Sequence, residues 1–92
     1  MAGNGMKGMN IERGREVSQQ ITVRIDMVEQ EIQRLNGVKG ALESNWAGAD
    51  QQAMIARIDE NIQLNNTLKD VLGERKTELD QDIQEQEQTS GQ

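Results

Sequence analysis

The sequence predicts an all-α protein, an antiparallel two-helix hairpin that needs a partner, most simply a second copy of itself. Two proline-free stretches of matched length carry apolar residues at helical spacing. Between them, at the midpoint of 92 residues, lie the only aromatic residue, Trp46, and Gly48 two positions on. With 34% hydrophobic residues, one Trp and no Phe or Tyr, the chain cannot fill a thick globular core, but it can fill a thin seam between helices.

Composition also removes whole classes of function. There is no Cys and no His, so disulfides, thiolate metal sites and the commonest general base are excluded. A domain of this length without staples is marginal alone, which favours oligomerisation. The net charge of −6 is uneven: residues 1–46 hold six acids and six bases, residues 47–92 ten acids and four bases. Nucleic acid and anionic lipid both call for Lys/Arg clusters that are missing here. No apolar run reaches the length of a membrane span, so stable membrane insertion is not expected. Residues 1–10 lack the apolar centre of a signal peptide and read as a disordered lead.

The first helix is expected over residues 11–43, with Asn10 as its N-cap. Ile21, Ile25, Val28, Ile32 and Leu35 step by 4, 3, 4 and 3, and Leu42 follows one heptad later. Run backward, the same register lands on Ser18, Gly14 and Ile11, of which Ser18 and Gly14 are small and admit close approach, with Val17 beside them. Residues 21–28 also alternate like a strand, yet no turn bounds them and the longer register runs through. Asn36-Gly37 and Gly40 are a rival bend; Leu35, Val38 and Leu42 keep helical spacing across them, so a weakened helix is expected to persist.

A turn is expected over residues 44–48 and the second helix over 49–85, with Asp50 as its cap. Met54, Ile55, Ile58, Ile62, Leu68, Val71, Leu72, Leu79 and Ile83 trace an apolar band whose seam is expected at Ile58, Ile62, Leu68, Leu72 and Leu79; Leu64, Leu68 and Val71, flanking Ile58, Ile62 and Leu72, widen it beyond what one neighbouring helix can cover. That surplus calls for the partner. Asn65 falls on the seam, where a buried amide fixes register, or else it is a partly exposed amide. Lys69, Arg75 and Lys76 read as solvated, with Asp70 and Glu74 in reach along the helix surface. From Thr77 onward there are five acids and no base; acids oppose the dipole at a helix C-terminus, so fraying after Ile83 and a disordered tail over 86–92 are expected.

Gly48 supplies the backbone freedom a turn needs. The Trp46 indole reads first as a cover for the open end of the seam and second as a contact for a partner. Asp80 and Asp82 do not share a helix face and are assigned no metal; no cofactor is expected. Ser18 and Ser44 lack a His, and pairing Ser18 or Ser44 with Lys39 lacks an oxyanion hole, so the chain is not read as an enzyme.

With Trp46-Ala47-Gly48 at the midpoint of two long helices, Leu42 four residues before the Trp and Ala49, Ala53 and Met54 after it, the chain resembles the WXG-motif (ESAT-like) family of type VII (ESX) secretion proteins. The resemblance covers roughly residues 10–85. It implies a hairpin that dimerises into an antiparallel four-helix bundle, and export without a cleaved signal peptide by a secretion ATPase from a cytoplasmic pool. It also implies as partner a second copy, a related WXG-type protein or a larger type VII substrate that this chain adapts. One departure stands out. The Tyr-x-x-x-Asp/Glu signal that usually ends such proteins has no Tyr here; its degenerate analogue is Ile83-x-x-x-Glu87. The competing expectation is a hairpin dimer that binds RNA, for which Arg13, Arg15, Arg24, Arg34 and Lys39 are too interleaved with acids to form a basic face.

Overall fold

The computed structural model describes residues 10–90, so the expected lead lies, apart from Asn10, outside the described residues, as do the last two positions of the expected tail. The protein is all-α. Helix α1 spans Ile11–Asn45 and helix α2 spans Ala49–Ser90, separated by Trp46, Ala47 and Gly48. The chain divides into two compact units, one made of the segments up to Ile25 and from Val71 on, the other of Asp26–Asp70.

In the Asp26–Asp70 unit the two segments run antiparallel through the turn. Every third or fourth side chain faces the seam: Val28, Ile32, Leu35, Lys39 and Leu42 from α1, and Gln51, Ile55, Ile58, Ile62, Asn65 and Lys69 from α2. Leu35, Leu42 and Ile58 form its buried core, with Ile55 and Ile62 packed against them. Polar seam residues pair at the edges: Lys39 meets Asp59 at 2.8 Å and Lys69 meets Glu29 at 3.8 Å. The Lys69 pairing corrects the expectation that Asp70 would partner it, because Lys69 occupies a seam position and reaches across to α1 instead of along α2.

Leu68 also departs from expectation. Placed by sequence on the seam, it is 47% exposed. A strict heptad step from Ile62 passes through Asn65, Lys69 and Leu72, so polar residues hold the seam and Leu68 lies one position off it. The rival bend does not form: α1 is continuous through Gly37 and Gly40. Leu35 and Leu42, packed on either side of them, outweigh a cost of about 1 kcal/mol per glycine.

In the other unit, Ile11, Gly14, Val17, Ser18, Ile21 and Ile25 face Leu72, Lys76, Leu79, Asp80, Ile83 and Gln86. Asn10 caps α1 as expected, its Oδ1 accepting from the Arg13 N–H at 2.6 Å. Both helices outrun their expected ends. α1 stops at Asn45 instead of residue 43, and α2 continues to Ser90 instead of ending near residue 85. Fraying after Ile83 is offset because Ile83 is buried, Arg15 pairs with Glu87, and Thr89 Oγ1 donates to the Glu85 carbonyl at 2.9 Å.

Candidate functional site

The turn is built from backbone needs first. The last carbonyls of a helix have no partner within it. At the end of α1 they are met by amides: Trp46 N–H donates to Leu42 O at 3.0 Å, Asn45 Nδ2 to Ala41 O at 2.9 Å, and Gln51 Nε2 to Leu42 O at 3.0 Å and Trp46 O at 2.8 Å. Gly48 then reverses the chain at φ +99°, where an L side chain is strained. Its carbonyl accepts the Gln52 N–H at 3.3 Å and opens α2. Asp50 lies within the first turn of α2, where its charge favours the helix dipole but it is not the cap.

Trp46 is 55% exposed and follows directly on the last residue of α1, so more than half of it stands clear of the packing. Within the same unit Met27, Val38, Met54, Leu64 and Leu68 are also exposed, Leu64 at 67%. Leu64 and Leu68 are four residues apart on the face of α2 turned from the seam, Leu64 as the over-wide apolar band predicted and Leu68 against its expected seam placement. Asn65 is half-buried and donates from Nδ2 to the Asn61 carbonyl at 2.8 Å, so its amide is spent within its own helix.

The unit containing the chain's outer segments holds a polar cluster. Ser18, 7% exposed, donates from Oγ to Asp80 Oδ1 at 2.5 Å, and Lys76 Nζ sits 2.7 Å from Oδ2 of the same carboxylate. The Lys76 ammonium, then the Ser18 hydroxyl, hold the Asp80 carboxyl below its ordinary pKa. Lys76 is thus paired to Asp80, and Arg75 to Glu78 at 3.0 Å, instead of to Asp70 and Glu74. Both pairs sit at helical spacing on α2.

Of the residues singled out as a degenerate export signal, Ile83 is 5% exposed in the seam and Glu87 is engaged by Arg15. The remaining expected seam residues, Ile21, Ile25, Val28, Ile32, Leu35, Leu42, Ile58, Ile62, Leu72 and Leu79, are all buried or half-buried. Sequence reasoning passed over Gln51, although it lies seven residues before Ile58 and so continues the seam register. It also left Ser18 and Asp80 unconnected, and nothing local joins residues 62 positions apart.

Among the described residues no group of three or more His, Cys, Asp or Glu is placed to hold a metal ion, and no helix is long and apolar enough to cross a membrane. Depressions lined by Glu60, Gln63, Leu64 and Thr67, and by Gly73, Glu74, Thr77 and Glu78, are each formed by one helix alone. No family model, no curated protein and no solved structure matches this chain.

Proposed function

We propose that this chain is a non-enzymatic helical-hairpin component of a type VII secretion system, which dimerises into a four-helix bundle and acts as a small substrate or as the adaptor of a larger one. The observation that carries the reading is the set of large apolar side chains left outside the seam. Among the described residues eight stand exposed, Leu64 at 67%. Apolar surface that a helix pair does not cover for itself is available to a further packing partner. The Trp-x-Gly at the turn and the left-handed Gly48 support the family resemblance.

The state of Ile83 and Glu87 favours the adaptor role over autonomous export. A degenerate signal whose first residue is buried and whose last is ion-paired is poorly presented, so the export signal comes from the partner. Two experiments test the reading. Sedimentation of the purified chain is expected to give twice the monomer mass, or a monomer that becomes a dimer with the protein encoded beside it; a stable, fully helical monomer in both cases removes the dimer. Release into the medium is expected to stop in a strain lacking the type VII ATPase, and continued release there removes the export claim.

A further inference from the structure

We propose that Gln51 is a positioning residue for Trp46, a side-chain clamp that holds the turn so that the indole stands preformed for contact. Gln51 is half-buried in the first turn of α2 and reaches back to the end of α1. A carboxamide nitrogen carries two hydrogens. Both are used, one on Leu42 O and one on Trp46 O, at 3.0 and 2.8 Å. The Trp46 N–H is bonded in turn to Leu42 O at 3.0 Å. Both polar backbone groups of Trp46 are therefore tied down while the residue stays 55% exposed.

The two features serve opposite ends only if presentation is the purpose. A residue that only plugged the seam would be largely covered; here the residue is more exposed than covered and its peptide is fixed. Gly48 makes the clamp reachable, since its left-handed φ of +99° turns the chain back within three residues of Gln51. Ordering a flexible backbone residue on binding costs conformational entropy, and a clamp formed in the free chain removes that cost from the encounter. The functional sense of the clamp rests on the reading that a partner contacts the Trp46 turn.

The chain reports on this itself, because Trp46 is its only Trp and it has no Tyr. Time-resolved anisotropy of the indole in the full chain, with far-UV circular dichroism as the fold control, compares wild type with Gln51→Met and Gln51→Glu. Met keeps the length and apolar body and removes both donors; the expected result is unchanged helicity with a sub-nanosecond component of roughly two-fold larger amplitude. Glu at neutral pH sets a carboxylate against two carbonyl oxygens and is expected to loosen the indole likewise. Protonating it restores a donor and slows the motion toward that of wild type at the same acid pH. A fast component unchanged in both variants while the helices remain overturns the clamp, and if Gln51→Met unfolds, the pH response of Gln51→Glu decides alone. Failure of the export or dimer experiments with a loosened indole overturns the proposed function and leaves the clamp standing.

Discussion

The two units share one heptad spacing and fill it with different chemistry. In Asp26–Asp70 the seam centre is aliphatic, with Leu35, Leu42 and Ile58 buried and the ionic pairs Lys39–Asp59 and Lys69–Glu29 at its edge. In the other unit Gly14, Ser18, Lys76 and Asp80 occupy or border the seam, and an equally exposed ionic pair, Lys76–Asp80, reaches from the edge to the buried Ser18 hydroxyl. An aliphatic seam is stabilised in proportion to area and tolerates imprecise alignment. A seam closed by a short hydroxyl–carboxylate bond is satisfied in one alignment only, since a slip leaves a buried polar group without a partner. One unit supplies adhesion and the other supplies register.

The largest expected effect comes from breaking the adhesive side. Leu35→Ala is expected to cost about 2–4 kcal/mol in urea unfolding followed by circular dichroism, the range for truncating a buried leucine. Equal loss from the exposed Leu68→Ala would erase the distinction between seam and outer face in the isolated chain.

Next comes the register side. Asp80→Ala strands the Ser18 hydroxyl and is expected to cost about 1–2 kcal/mol, while Ser18→Ala added to it costs little more, because the pair acts as one unit. The same carboxylate predicts a pH dependence. Its folded pKa lies below its unfolded one, so its contribution is present above the unfolded value of about 3.9 and is lost as pH falls through the folded value. Hydrogen exchange in residues 11–25 and 71–90 is expected to accelerate on acidification in wild type more than in Asp80→Asn. In the other unit the Asp59 hydrogen bond raises the pKa of Lys39, so that contribution is lost only as pH rises through the folded lysine value. Glu31, in the same unit, is held below its ordinary pKa by Arg34, so that unit also has a contribution that is lost on acidification.

Glycines sharpen the comparison within one unit. Gly48→Ala forces a side chain to φ +99° and is expected to destabilise by about 1–2 kcal/mol, although no atom lies within 4 Å of the added carbon. Smallest of all, Gly37→Ala and Gly40→Ala also meet nothing within 4 Å but sit in regular helix, so each is expected to stabilise by about 0.5–1 kcal/mol in thermal unfolding. The opposite signs would separate backbone strain from packing.

This contrast also explains what the sequence made legible. The α1 seam could be read in full because Ile, Val and Leu mark it without interruption from Ile21 to Leu35. On α2 the seam passes through Asn65, Lys69 and Lys76 while Leu64 and Leu68 lie off it, so an apolar pattern alone points to the wrong face in the middle of the helix. Gly48 as the turn residue follows from glycine chemistry, whereas the outward Trp46 depends on α1 stopping one residue earlier and on Gln51 reaching across the bend. Helix ends were misplaced for a related reason: the Arg15–Glu87 pair that supports the last turns of α2 joins residues 72 apart.

Those separations have a consequence in time. Gln51 meets Leu42 across nine residues, whereas Ser18 meets Asp80 across 62. Closing a loop costs more as it lengthens, about 0.6 kcal/mol for each doubling, so pairing starts beside Gly48 and reaches Ser18 late. On the ribosome the segment from Ile11 to Ile25 must wait until Asp80 has been made. While it waits, Gly14 and Ser18 interrupt the apolar line of Ile11, Val17, Ile21 and Ile25, so the unpaired seam shows a neighbouring nascent chain a shorter apolar run than an uninterrupted one would.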